Sequence, residues 1–296
     1  MEKEQIRQRF ENLNVWKSSG QRAPHKPLLL LYAMGRYQQG KPRLMAFAEI
    51  EKDVKQLIAD FGPPRKSVHP EYPFWHLQSD GVWELQNADT VKKRKAGSSP
   101  SRAELLKCNV NGGFKEEIYE AVFRDKKLLG EIVAILLETS FPSTVHEDIL
   151  QAVGIDIEAA AATGRVRDPR FRERILCAYE YKCAVCGFNV RLGDTLVAVE
   201  AAHIKWHQAG GPDDETNGMA LCSMHHKLFD RGVFTLSDEL IVQVSELAHG
   251  SSGFNEWLMA FHGKSITTPQ RPSYYPESKF VSWHVKEVFK GYQRHL

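Results

Sequence analysis

The 296-residue chain contains no apolar run long enough to span a bilayer, which excludes a bundle of membrane-crossing helices. Its surplus of positive charge is only +2, so any attraction for a polyanion must come from local patches rather than from overall composition. Cysteine is scarce, with five residues in all, and four of them lie in or beside the stretch from Cys183 to Cys222 while Cys108 stands apart. That clustering fits metal ligation and free thiols rather than a disulfide framework. No internal repeat is present, and the opening Met1-Glu2-Lys3-Glu4 is charged and polar, unlike a signal peptide, so a cytoplasmic protein is expected. With 42% hydrophobic and 26% charged residues the composition is that of an ordinary globular chain, and the length suggests two domains.

What is there concentrates between Cys183 and Phe234. Cys183 and Cys186 are spaced for a tight turn, and Cys222 and His225 repeat the same spacing further on. Leu221, Met224, Leu228 and Phe229 recur at steps of three and four, which predicts a helix carrying Cys222 and His225 on one face. Three thiolates and one imidazole in two such pairs are the ligand set of a tetrahedral structural Zn2+ site. Reading them as plain buried thiols and a surface histidine requires two ligand pairs of matching spacing to coincide. His226 follows His225 directly, and neighbours on a helix diverge by about 100°. One ring can therefore face the cysteines while the other faces a preceding strand, predicted at Leu196-Val197-Ala198-Val199, which delivers His203 at its end. A polar loop through Gly210, Gly211, Pro212, Asp213 and Asp214 closes at Asn217, where the next helix is expected to begin.

His203, Asn217 and His226 in this order, framed by two metal-binding pairs, resemble the HNH (ββα-metal) nuclease family. The words Glu-Ala-Ala-His-Ile, Asn-Gly and His-His-Lys-Leu-Phe-Asp resemble its restriction endonuclease branch. The resemblance implies a DNA endonuclease in which His203 takes a proton from water, a role suited to an imidazole. It further implies that Asn217 holds the loop and orients the base or the metal. His226 would bind a divalent cation such as Mg2+, Mn2+, Co2+ or Ni2+. One departure is Ala202, where many members carry Asp or His as a second metal ligand. Glu200, two residues earlier on the same strand face, is a candidate ligand; the alternative is a structural carboxylate capping the loop on the zinc side.

The N-terminal half reads as mostly helical, with segments at Gln5 to Lys17, the apolar Pro27 to Met34, and Phe47 to Phe61. Further helices are expected at Ala103 to Cys108, Lys115 to Arg124, Leu128 to Thr139 and Thr144 to Val153. Phe74 to Leu77 and Val82 to Leu85, joined around Ser79-Asp80-Gly81, predict a short β-hairpin. The words Arg22-Ala23-Pro24-His25-Lys26-Pro27 and Val68-His69-Pro70-Glu71-Tyr72-Pro73-Phe74-Trp75-His76-Leu77 resemble, with this element order, the sulfur-binding domain of type IV restriction endonucleases. That family reads phosphorothioated DNA and commonly fuses the domain to a C-terminal HNH nuclease. The resemblance places Tyr72 and Pro73 in a sulfur-binding cup, with Phe74 and His76 beside it and His25 and Lys26 against the backbone. Phe74, with Trp75 and Leu77, also reads as core. Lys93, Arg94 and Arg102, in a basic stretch with Lys92 and Lys95, are candidate phosphate contacts, or else a solvated loop.

The expected fold is thus α+β. A mainly helical sulfur-binding domain with a short β-hairpin covers residues 1–157, a linker 158–168, and an HNH endonuclease domain with a structural zinc site 169–296. An arginine-rich helix from Asp168 through Tyr181 is expected to lay Arg170, Arg172 and Arg174 near the DNA backbone; helix solubility would also explain them. Strands at Val233 to Leu236 and Leu240 to Val244 and a tail helix from Glu277 to Tyr292 complete the chain, with Trp283 and His284 structural. The partner the resemblance implies is double-stranded, phosphorothioate-modified DNA, and a homodimer is expected because a lone HNH site breaks one strand at a time. Alternatives are an HNH endonuclease reading another mark such as methylcytosine, and a non-catalytic, zinc-stabilised DNA-binding module.

Overall fold

The computed structural model describes residues 2–14, 17–18, 21–92, 98–155 and 169–294. The chain divides into two compact units, Met1–Arg165 and Val166–Leu296. The expected linker lies outside the described residues, as do Lys93, Arg94, Lys95 and Asp168. No described helix is long and apolar enough to cross a membrane.

The first unit runs α1 (Lys3–Glu11), β1 (Lys17–Ser18), β2 (Gln21–Arg22), α2 (His25–Gln38), β3 (Met45–Ala46), α3 (Phe47–Phe61) and α4 (Glu71–His76). It continues through β4 (Trp83–Gln86), α5 (Arg102–Lys107), β5 (Asn111–Phe114), α6 (Glu116–Arg124), α7 (Lys126–Glu138) and α8 (His146–Val153). The helix α2 is apolar on every side because it is enclosed on every side: Leu28, Leu29, Leu30, Leu31, Ala33 and Met34 are all fully buried. Around it, α3 turns inward a stripe of Ile50, Val54, Leu57, Ile58 and Phe61, spaced by three and four.

The expected hairpin is corrected by the structure. Phe74 to Leu77 is helical, and Trp83–Gln86 pairs instead with Asn111–Phe114, which also pairs with Met45–Ala46 in a three-stranded antiparallel sheet of order β3-β5-β4. Phe74 and Leu77 are both fully buried and sit three residues apart, a helical rather than a strand spacing. The short hairpin of this unit is β1-β2. The central strand was hidden by its own sequence, Asn-Gly-Gly-Phe, which reads as a turn. Its glycines are required by close approach: a Cβ on Gly113 would lie 1.9 Å from the Arg43 carbonyl oxygen, and one on Gly112 would meet the rings of Trp83 and Phe74. Beneath the sheet Trp83 meets both Phe74 and Phe114 edge-on, and Phe114 meets Phe10.

The second unit runs α9 (Pro169–Ala178), β6 (Arg191–Leu192), β7 (Thr195–Leu196), β8 (Val199–His203), β9 (Gly218–Cys222), α10 (Ser223–Asp230), β10 (Phe234–Leu236), β11 (Val242–Val244), α11 (Ser252–Trp257) and α12 (Ser278–Glu287). The expected strand over Leu196 to Val199 is split. Leu196 closes the β6-β7 hairpin, Ala198 adopts φ +56°, and the strand that carries His203 starts at Val199. Asn217 ends a single 3-10 turn and leads into a strand rather than a helix. The pair β8-β9 is antiparallel, with Glu200 opposite Leu221 and His203 opposite Gly218, and α10 follows directly from β9. This ββα hairpin is packed by Phe171 and Ile175 of α9 and shares its core with Phe234, Val242 and Val281.

A Gly113→Ala substitution is expected to destabilise the first unit by about 1–3 kcal/mol, because the colliding atom is backbone and cannot swing aside. Urea denaturation checks it, and an unchanged midpoint would contradict the packing described.

Candidate functional site

The turn at Cys183-Ala184-Val185-Cys186 is closed by the Gly187 amide donating to the Cys183 carbonyl at 2.8 Å, with Gly187 at φ +73°. The Ala184 amide donates to the Ala220 carbonyl at 2.7 Å, tying the turn to β9. Cys222 is the last residue of β9 and caps α10, so of the second pair only His225 is helical. The three sulfurs and the His225 nitrogen all lie within 4.8 Å of one another. Cys186 Sγ and Cys222 Sγ are 3.9 Å apart, and His225 Nδ1 is 3.7 Å from Cys183 Sγ and 3.2 Å from Cys222 Sγ. Sulfurs about 2.3 Å from a tetrahedral ion are about 3.8 Å apart, so these side chains fit such an ion, and the cluster could bind zinc. His225 Nε2 donates to the Trp257 carbonyl at 2.8 Å, which fixes the tautomer with Nδ1 toward the sulfurs. Hydrogen bonds from Cys186 and Cys222 hold the Cys183 thiol far below its usual range, while contacts with Cys183 and Cys222, together with burial, raise Cys186.

His226, one residue on, points the other way. Its Nδ1 is 2.7 Å from Glu200 Oε2, and its Nε2 is 3.2 Å from Asp230 Oδ2. Burial opposes a charge on this ring, but the carboxylates of Asp230 and Glu200 outweigh it and raise the imidazole to about 9. Ser223 Oγ donates to Glu200 Oε1 at 2.7 Å, and Trp206 Nε1 donates to Asp230 Oδ1 at 3.2 Å. Trp206 in turn meets Trp283 of α12 at a ring distance of 5.8 Å. Ala202 is fully buried and offers no donor.

His203 stands at the tip of β8, its ring stacked on Phe171 at 4.1 Å and 12°, with Nε2 2.7 Å from Asp213 Oδ1. Gly218 opposite it permits this approach, since a Cβ there would strike Ile175 and Phe171. Asn217 is fully buried and serves the loop. Its Oδ1 accepts from the Lys205 amide at 2.8 Å, and its Nδ2 donates to the carbonyls of Lys205 at 3.0 Å and Pro212 at 2.9 Å. Arg172 and Arg174, expected to face the DNA backbone, donate to the carbonyls of Val199 and Asp213, and Arg174 also pairs with Glu215. His284 is fully buried, donating from Nε2 to the Phe229 carbonyl and accepting at Nδ1 from the Thr235 hydroxyl; burial lowers it to about 4.

In the first unit, Tyr72 is 46% exposed and stacks on His69 at 4.7 Å and 12°, while Pro73 and Phe74 are buried beneath it. His69 Nδ1 is 2.9 Å from Glu71 Oε1. Burial, with Arg65 and His69 adding to it, lowers His25 to about 4, so its ring is neutral near pH 7. His76 is lowered by burial and by Lys26, and its Nε2 bonds Ser99 Oγ at 2.7 Å. Lys26 is held by the buried Asp80 carboxylate and by the Asn14 carbonyl at 2.6 Å. Arg102 forks onto Glu51, with Nη2 to Oε1 at 2.6 Å.

Asp213, Asp230, Trp206 and Phe171 escaped the sequence reading. Asp230 carried a usable signal, since it lies one helical turn beyond His226. The partnership of Asp213 with His203 depends on the course of a loop and left no periodic trace.

A family model described as "ScoMcrA-like, DNA sulfur-binding domain" matches residues 3–158, and one described as HNH endonuclease matches residues 183–237. Among solved structures, "Sulfur binding domain of ScoMcrA complexed with phosphorothioated DNA" is 21% identical, covering 52% of this chain and 97% of that chain with a TM-score of 0.46. The corresponding SprMcrA complex is 22% identical, covering 52% and 95% with a TM-score of 0.44. "Modification dependent TagI restriction endonuclease" is 24% identical, covering 44% and 42% with a TM-score of 0.30. No curated protein gives a match to the chain.

Replacing Cys186 by Ser is expected to abolish stoichiometric metal binding and to lower the melting temperature of the second unit alone. Elemental analysis and calorimetry check this, and full metal content with an unshifted transition would remove the cluster's role.

Proposed function

Because the chain belongs to the ScoMcrA-like DNA sulfur-binding domain family and carries an HNH endonuclease domain, we propose that it binds phosphorothioated duplex DNA and cleaves it nearby. Residues 1–157 are the reading module and 169–296 the cutting module. The observation that carries the cutting half is the divergence of His225 and His226, one ring among three sulfurs and the next 2.7 Å from a carboxylate on the neighbouring strand.

His203 is the general base. The proton of a water molecule passes to its imidazole as the water oxygen bonds to phosphorus. The bond to the leaving oxygen breaks, and that oxygen takes up a proton from solvent. Glu200 and His226 are the residues that would hold the divalent cation, and Asp230 orients His226 through its second nitrogen. Two facing protein donors suit an ion such as Mg2+, Mn2+, Co2+ or Ni2+, which keeps several waters. When bound, such an ion supplies charge stabilisation at the scissile phosphate and the leaving oxygen. Asn217 acts by pinning the loop from Lys205 to Pro212. Cys183, Cys186, Cys222 and His225 would hold Zn2+, which would serve the fold.

For recognition, the exposed Tyr72 face and the neutral, desolvated His25 favour a large, weakly hydrated sulfur over an oxygen that loses more on giving up its water. Lys26 and Arg102 are engaged by Asp80 and Glu51, so their contribution to phosphate contact requires exchange of those partners. Two chains acting together would break both strands.

His203→Ala is expected to lower the cleavage rate by about 10²–10⁴ while DNA binding persists; unchanged cleavage would remove the proposed base. Tyr72→Ala is expected to weaken binding to phosphorothioated duplexes by up to about 1–3 kcal/mol and to matched unmodified duplexes by less. Equal losses on both, read by competition titration, would point to a different ligand.

A further inference from the structure

We infer that Asp213 is the positioning residue of the His203 imidazole, an inference that rests on reading His203 as the general base. A carboxylate can only accept, so the 2.7 Å contact with Asp213 Oδ1 puts the proton of the neutral ring on Nε2. The lone pair that takes a proton from water is then on Nδ1. Phe171 fixes the plane of the ring by stacking at 4.1 Å and 12°, but a stacked face is nearly indifferent to rotating the imidazole by half a turn. That rotation exchanges a nitrogen for a carbon at the reacting position. The hydrogen bond to Asp213 breaks this two-fold ambiguity, and its charge stabilises the imidazolium that forms as water loses its proton.

The carboxylate can do this because its loop is not free to drift. Arg174 of α9 donates to the Asp213 carbonyl, and the Asn217 amide donates to the carbonyl of Pro212, one residue earlier. Gly211 lies so close to the Lys205 carbonyl oxygen that a Cβ would come within 1.9 Å of it. The α9 helix therefore supports the base twice, through Phe171 against the ring and through Arg174 against the backbone of its partner. The buried Asn217 reaches the base by the same route, since it holds the loop that presents Asp213.

The test uses the full chain with a phosphorothioated duplex and Mn2+ or Mg2+, comparing wild type with Asp213→Ala. The expected result is a fall in kcat of about 10–100-fold with KM for DNA unchanged. In 15N-histidine-labelled protein without DNA, a hydrogen-bonded imidazole N–H proton resonance is expected in wild type, and it disappears in both Asp213→Ala and His203→Ala. An unchanged kcat, or a resonance that survives Asp213→Ala, overturns the inference. A fall in kcat matched by losses in melting temperature and bound zinc overturns it as well, by assigning Asp213 to the fold. Should wild-type protein cleave no duplex with any metal, the nuclease reading fails separately, and the resonance still decides whether the dyad exists.

Discussion

The second unit depends on the angular step between two consecutive residues of one short helix. His225 and His226 lie on α10, where neighbours diverge by about 100°, and that step separates a sulfur-lined cluster from a carboxylate-lined one. Both rings are buried, and both are locked by a partner for the nitrogen not aimed at the cluster or strand: Trp257 for His225 and Asp230 for His226. A rotation of α10 that improved one site would spoil the other. The helix is only eight residues long, too short to be stable by itself, so its pose comes from its anchors. Cys222 holds its start, and the His284 side chain holds the carbonyl of Phe229 near its end.

The same economy governs the loop between the strands. It runs through two glycines and a proline and would wander without support, yet a single buried amide, Asn217, satisfies one backbone donor and two acceptors across it. Close approach does the rest: Gly218 leaves room for Phe171 and Ile175, which brings an aromatic face onto His203. Arg172 and Arg174 read in the sequence as a surface for phosphate, but their guanidinium groups cap backbone carbonyls that the strand and loop leave over. A side chain that suits phosphate oxygen equally suits a carbonyl oxygen, so charge on a helix could not discriminate the two.

In the first unit the contrast is between side chains paired with carboxylates and an aromatic ring left partly open to solvent. Lys26 and Arg102 are paired with carboxylates, whereas Tyr72 presents its ring outward on a helix whose inner residues, Pro73 and Phe74, are buried. His25, half-buried at the start of α2, is lowered by desolvation to about 4. The short helix carrying Tyr72 reads as a strand in sequence because Phe74 and Trp75 are β-prone, and only their packing shows otherwise.

The sequence by itself marked the three-cysteine, one-histidine cluster and the position of most helices. The repeated pair spacing brought Cys183, Cys186, Cys222 and His225 together, and the apolar periodicity of Phe47–Phe61 marked that helix to its ends. These signals are local, since each depends on residues within a turn or two of one another. Tertiary structure alone decided the rest. It chose the partner of Trp83–Gln86, hid a central strand behind two glycines, and placed Asp213 against His203 and Trp206 against Asp230. Such pairings are set by which distant segments can pack without collision and by which buried polar groups then need a partner, and neither condition leaves a period in the chain.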